Sequence, residues 1–409
     1  MSPFRLKQKT VKPDSCSAGP PWKDELLSRL GNDRRYKEKL GNIRTWNEVP
    51  ISTYECLAEK RKYGPYLKAK PVLTYFSSGS SGNVKQVDYS KEDWSHTVAH
   101  RADCLRHLGL TSEDTVGIVL PFGPWFSGDC LSDACLAVGA KVLPGGMSPA
   151  HVPGLTSLFD KTGVNTIITT PSLALSLRCH QLSAKGIKRL ILVGEHVSKR
   201  LKAKLEEYYG ITPVSMYAAS EAIIGYEDQQ KPGWYCCDPE RIYLEVLDEY
   251  GRIVSNGKGE LLVTRRYGMA TPLIRYRLED LVQLYTDESG NQSCRFIGRV
   301  GHAFTLYSGV KIGRMHLDNF LDNLPGVVVK AFFEVKHFDN GRDSLNVTLH
   351  CLDPSELTAE KVQEEFINSS LEIMDVFSCG YLCLSVKIKD CNHFYSKRRI
   401  EIIEGPWKL

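Results

Sequence analysis

Short apolar runs alternate with helical stretches through the middle of the chain. The runs 116–120, 141–144, 166–169, 190–193 and 213–216 are rich in β-branched residues and nearly continuous in apolar character, whereas 128–138, 153–161, 172–182 and 198–209 have helical composition. Such alternation predicts a parallel sheet with helices on both faces, because a strand buried on both sides lacks the polar alternation of a half-solvated one. Ligands of such sheets bind at the carboxyl ends of the strands. Upstream, an amphipathic stretch at 24–40 carries Leu26, Leu27, Leu30 and Tyr36, and 71–76 reads as a strand. Ser90 with Asp93 three residues on predicts a capped helix that turns Trp94, Val98, Cys104, Leu105 and Leu108 toward one face. From Arg241 the rhythm becomes strand and turn, as at 245–254 and 259–264. From Arg299 it becomes mixed, with helices near 316–324 and 354–366 and strands at 327–335, 345–351 and 382–388. The expected fold is α/β: a large N-terminal domain, 1–298, with helix-covered parallel strands and a β-rich subdomain, then a small α+β domain, 299–409.

Composition narrows the class. The 409 residues carry 52 Lys+Arg against 48 Asp+Glu, a formal net charge of +4, which leaves no electrostatic footprint for nucleic acid or an anionic membrane as the main partner. Hydrophobic residues at 42% and charged residues at 24% are those of an ordinary globular protein rather than a disordered one. The N-terminal residues lack the apolar core of a signal peptide, and no run reaches the roughly 18 apolar residues of a membrane span. A cytoplasmic protein is expected. Its 13 cysteines, odd in number and scattered, are expected to be reduced thiols.

Five segments carry candidate chemistry. The strand at 71–76 runs into Ser77-Ser78-Gly79-Ser80-Ser81-Gly82-Asn83-Val84-Lys85, where two glycines permit close backbone approach, four hydroxyls offer donors and Lys85 adds a point charge suited to phosphate. No Walker A motif can be written through it; a flexible linker is the competing reading. Tyr217-Ala218-Ala219-Ser220-Glu221 follows the last parallel run with an aromatic ring, small residues and an acid, suited to base stacking, substrate room and metal ligation, against the alternative of a buried Tyr and a solvated Glu. In Tyr276-Arg277-Leu278-Glu279-Asp280 an acid at a strand start suits ribose hydroxyls, against a surface ion-pair network. Ile297-Gly298-Arg299 with the Gly309-Val310-Lys311 stretch, and Ser396-Lys397-Arg398, complete the series. His96, His100 and Cys104 share a helical face, but with no acid nearby to complete a metal site a plain helix surface is expected.

In order and spacing these segments resemble the motif series of the adenylate-forming acyl ligases, most closely the phenylacetate-coenzyme A ligase branch, over about 73–400. The resemblance implies that the smaller domain is a mobile lid. It also implies that Ser77, Ser78, Gly79, Ser80, Ser81, Gly82 and Lys85 hold the ATP phosphates and that Glu221 binds Mg²⁺. Gly194, Glu195, Tyr217, Ala218 and Ser220 are similar to the adenine and magnesium segments, with Tyr217 stacking on the base; Asp280 takes the ribose hydroxyls and Arg299 assists at the nucleotide. Lys397 matches the lysine that steadies the transferring carboxylate and α-phosphate, while Phe122, Gly123, Phe126 and Ala219 line the acid pocket. ATP, Mg²⁺ and coenzyme A as co-substrate follow, with a small carboxylic acid as substrate; a carrier-protein thiol or an amine is the alternative acceptor, and a degenerate nucleotide-binding protein the alternative function. A dimer is compatible with the sequence. Departures from the family pattern are Val84 for proline, Ala218 for glycine, Glu279 before Asp280, Ser396 before Lys397, and the hinge sequence Val300-Gly301-His302.

Overall fold

The computed structural model describes residues 19–32, 45–55, 69–76, 85–146, 152–179, 186–268, 270–300, 302–306, 308, 310–338, 342–352, 354–391 and 398–404. Two compact units make up the chain. One comprises Met1–Gly64, Cys237–Arg266 and Leu273–Ile297, the other Pro65–Cys236, Tyr267–Pro272 and Gly298–Leu409.

The first strands of the larger unit are β1 (Leu73–Phe76) and β2 (Gln86–Tyr89), paired antiparallel. The helix Lys91–His107 follows, capped as expected: Ser90 Oγ accepts from Asp93 N–H at 3.1 Å and Asp93 Oδ2 accepts from Ser90 N–H at 3.0 Å. The parallel strands β3 (Thr115–Val119), β4 (Lys141–Pro144), β5 (Thr166–Thr169), β6 (Arg189–Val193) and β7 (Val214–Ala218) lie in the order β4-β3-β5-β6-β7. Beyond β7 the sheet becomes mixed, because β8 (Ile223–Glu227) and β9 (Tyr235–Cys236) run antiparallel. Strand alternation sorts the core into two layers. Val116, Ile118, Ile168, Ile191 and Val193 pack with Leu105 and Leu131, while Val119, Ile167, Leu190 and Leu192 pack with Phe159, Leu201 and Leu205.

In the other unit β10 (Ile242–Leu247), β11 (Ile253–Val254), β12 (Gly257–Arg265), β13 (Tyr276–Thr286) and β14 (Gln292–Arg299) are ordered β11-β10-β12-β13-β14, the β-rich subdomain expected from the turn rhythm. The expected 24–40 helix begins at Trp22 and is described through Asn32.

The C-terminal part of the larger unit holds β15 (His302–Thr305), β16 (Lys311–Gly313) and a four-stranded sheet of β17 (Val328–His337), β18 (Asp343–Cys351), β19 (Leu382–Asp390) and β20 (Arg399–Glu404), ordered β19-β18-β17-β20. Helices Arg314–Asn323, Ala359–Asn368 and Leu371–Ser378 accompany it, and Phe304, Phe320, Phe333, Val347 and Phe366 share a buried core. Val327, Val329 and Cys391 instead join the core around Leu201 and Leu205, and Lys204 Nζ donates to the Asp322 and Leu324 carbonyls at 2.8 and 2.7 Å. Among the described residues no helix is long and apolar enough to cross a membrane, and no disulfide joins the described cysteines.

Candidate active site

The loops after β3, β6 and β7 leave the same edge of the parallel sheet. Gly194, the first residue after β6, has φ +82°, a left-handed conformation that favours glycine. After β7 the chain turns sharply: Ala219 N–H donates to the Ala222 carbonyl at 2.8 Å, and the β7–β8 register slips between Tyr217 and Ala218. Tyr89 on β2 reaches this turn, its hydroxyl donating to the Ser220 carbonyl at 3.1 Å. The turn delivers Glu221, only 5% exposed, to Lys85, with Nζ and Oε1 3.2 Å apart. The last residue of the Ser/Gly segment and the acid of the β7–β8 turn therefore meet. A solvated glutamate in an ordinary loop is excluded by that burial and that partner.

Behind the turn lies a buried network that the sequence did not flag. Glu227 on β8 accepts from Lys202 Nζ at 2.8 Å, Ser215 Oγ at 2.9 Å and Gly233 N–H at 3.0 Å. Ser215 Oγ also lies 3.0 Å from the Tyr235 hydroxyl, and the Tyr235 ring is 5.4 Å from that of Tyr217. The only advance signal was an acid at an inward strand position, a pattern with many other meanings.

Glu195 has a specific partner. Its Oε1 accepts from the Arg398 backbone N–H at 2.8 Å, and the Arg398 guanidinium is held by Asp322 at 2.7 Å and by the Val328 carbonyl at 3.2 Å. Ser77, Ser78, Gly79, Ser80, Ser81, Gly82 and Lys397 lie outside the described residues. Arg299 is exposed at the end of β14.

The β3 edge holds the expected acid-pocket residues. Gly123, at φ +80°, has open space where a side chain would stand. A Cβ at Gly128 would meet the Phe122 ring at 2.7 Å, so the glycine lets that ring lie against the helix. The Phe126 ring is buried, stacked on Tyr89 at 5.6 Å, with Tyr75 and Trp94 edge-on to it. Ala219 sits in the β7–β8 turn, half-buried. His100 and Cys104 are buried rather than on a helix surface, because the packed face of the Lys91–His107 helix is wider than its apolar residues suggest, and His96 stacks on Tyr267 at 3.7 Å.

In the other unit Asp280 is 3% exposed on β13. Of the cations beside it, Arg275 forks onto Glu245 through Nε at 3.0 Å and Nη2 at 2.8 Å, and Arg277 Nε donates to Glu260 at 2.9 Å. Among the described residues Arg275 and Glu279 are the non-glycine residues with positive φ, +44° and +65°; the first precedes the segment and the second stands just before Asp280. Backbone strain of this kind collects where a side chain must be aimed.

Among the described residues no three His, Cys, Asp or Glu side chains gather as a metal cage. A single buried carboxylate such as Glu221 fits magnesium, which binds through one or two carboxylates and completes its shell with water and substrate phosphates.

The family described as AMP-binding enzyme matches residues 23–271, more than half of the chain. The phenylacetate-coenzyme A ligase of Aromatoleum evansii is 24% identical over 382 residues, covering 89% of this chain and 84% of the relative, and that of Escherichia coli K12 is 27% identical over 228 residues, covering 52% and 51%. In fold the chain is similar to 2-hydroxyisobutyryl-CoA ligase in its postadenylation state with 2-HIB-AMP, at a TM-score of 0.70 and 19% identity over 93% of this chain and 85% of that one. It is also similar to the acyl acid amido synthetase AtGH3.15 in complex with 2,4-DB, at a TM-score of 0.67 and 14% identity over 92% and 90%. The chain belongs to the AMP-binding enzyme family, within the adenylate-forming superfamily.

Proposed function

We propose that this protein is a cytoplasmic ATP-dependent acid–thiol ligase that activates a small carboxylic acid as its acyl-adenylate and passes the acyl group to coenzyme A. The observation that carries this reading is the meeting of Lys85 with Glu221. An ammonium beside a buried carboxylate, at the edge of a parallel sheet, supplies a cation for phosphate oxygens and an anion for the metal that accompanies them.

In the first half-reaction a carboxylate oxygen attacks the α-phosphorus and pyrophosphate leaves. Ser77, Ser78, Gly79, Ser80, Ser81 and Gly82 would hold the phosphates with Lys85, and Glu221 would hold Mg²⁺, whose charge offsets that of the departing pyrophosphate. Tyr217 would stack on adenine beside Gly194, Glu195, Ala218 and Ser220, Asp280 would accept from the ribose hydroxyls, and Arg299 would assist. Phe122, Gly123, Phe126 and Ala219 would bound the acid. Lys397, from a lid formed by residues 299–409, would neutralise charge gathering where carboxylate meets phosphorus, an electrostatic contribution that is largest once water is excluded. In the second half-reaction the thiolate attacks the acyl carbon and AMP leaves. An amine in place of the thiol is the second reading, favoured by the likeness to AtGH3.15.

The test is magnesium-dependent pyrophosphate release screened across a library of carboxylic acids, with thioester and amide products resolved by mass spectrometry after the acceptor is added. Release with at least one acid is expected. Glu221→Gln keeps the side-chain shape but removes the charge a hard cation prefers, so its release should require far more magnesium. ATP binding without release for any acid would establish the degenerate nucleotide binder, and an unchanged magnesium dependence would remove Glu221 from the metal site.

A further inference from the structure

The register of β12 against β13 shows how Asp280 is aimed. Leu262 lies opposite Arg277 and Glu260 opposite Leu281, so Leu278, Glu279 and Asp280 together face Leu261. That is a β-bulge with two extra residues on β13, the kind of irregularity that re-aims side chains beside functional sites. Its turn is made at Glu279, whose φ of +65° costs a non-glycine residue about 1–2 kcal/mol. Something must hold it open.

The brace is an ion pair that spans the bulge. Arg277, at the last regular position before it, donates through Nε to Glu260 Oε1 at 2.9 Å and through Nη2 to the other carboxylate oxygen. Glu260, 5% exposed, is the position opposite the first regular residue after it. Glu260 is itself fixed by close strand packing, since a Cβ on the preceding Gly259 would stand 2.3 Å from the Leu247 carbonyl oxygen on β10. On the far side Ser52 receives the Arg277 N–H at 2.9 Å and donates its own N–H to the Arg275 carbonyl at 3.0 Å. A planar guanidinium meeting a carboxylate at two points fixes orientation as well as distance.

We propose that Glu260 and Arg277 form a positioning pair that sets the bulge presenting Asp280, so that recognition of the ribose hydroxyls depends on two residues that touch no nucleotide. This rests on the assignment of Asp280 to the ribose. The experiment compares affinities for ATP and 2′,3′-dideoxy-ATP in the wild type, Glu260→Gln, Arg277→Lys, the double variant and Asp280→Ala. The wild type should prefer ATP by roughly tenfold to a few hundredfold, the range expected for charge-assisted hydrogen bonds to the hydroxyls. Arg277→Lys keeps the charge but loses the fork, and Glu260→Gln keeps the shape but loses the charge. Each should move the ratio most of the way to the Asp280→Ala value, with dideoxy-ATP affinity nearly unchanged and little further loss in the double variant, because the two residues act as one unit. Folded variants that keep the full ratio, or that lose both nucleotides equally, would overturn the brace. A wild type with no preference would overturn the ribose assignment itself.

Discussion

Lys397→Ala is expected to slow acyl-AMP formation by roughly two to three orders of magnitude, the scale on which removing one donor to a developing anion acts, while ATP affinity changes little. The separation of the two readouts follows from where the charge appears. In the ground state carboxylate and α-phosphate are apart and each is solvated; in the transition state their negative charge converges, and only there does an added ammonium act strongly. The residue after it is well anchored: Arg398 is tied by its guanidinium to Asp322 and by its backbone N–H to Glu195. Single-turnover formation of acyl-AMP, measured beside equilibrium ATP binding, checks the expectation. A wild-type rate in the variant would remove Lys397 from the chemistry.

Glu245→Ala should lower stability by about 3–5 kcal/mol, the usual cost of stranding one member of a buried ion pair. Glu245 accepts from Arg275 Nε and Nη2 and from the Trp46 indole N–H at 3.2 Å, Arg275 Nη1 also donates to the Val49 carbonyl at 2.9 Å, and both charged side chains are under 10% exposed. Removing the carboxylate leaves a guanidinium that cannot be neutralised by losing its proton, with an indole donor stranded beside it. Chemical denaturation of the variant tests this, with the double replacement of Glu245 and Arg275 by methionine as companion. The double variant should recover much of the loss, because no buried charge remains. A loss under about 1 kcal/mol in Glu245→Ala would show that the pair is solvated in solution.

What was legible in the sequence follows from the size of each signal. The strands β3, β5 and β6 are evident because burial on both faces leaves their central positions apolar, with polar residues at the strand ends. β2 was missed because Gln86-Val87-Asp88-Tyr89 offers only two inward residues directly after a Ser/Gly loop. The Leu371–Ser378 helix is too short to show a period, and β20, Arg-Ile-Glu-Ile-Ile-Glu, follows directly on a basic stretch read as a candidate motif. The proposed site residues are singled out by their order along the chain, since no local pattern announces that Lys85 and Glu221 touch. The β13 bulge was hidden for a different reason. Its left-handed position is occupied by Glu279 instead of glycine, so the usual sign of a backbone irregularity is missing and a long-range ion pair supplies the constraint.

The central claim, that the carboxylate is activated by bonding to the α-phosphorus of ATP, is tested most directly by isotope transfer. The acid giving the fastest pyrophosphate release is labelled with ¹⁸O in both carboxylate oxygens and turned over with ATP, Mg²⁺ and coenzyme A. When the thiolate attacks the acyl carbon of an acyl-adenylate, the bridging oxygen departs with phosphorus, so each AMP should carry one ¹⁸O and the pyrophosphate none. Unlabelled AMP, or label recovered in orthophosphate alongside ADP, would mean that activation proceeds at another phosphorus and would contradict the account.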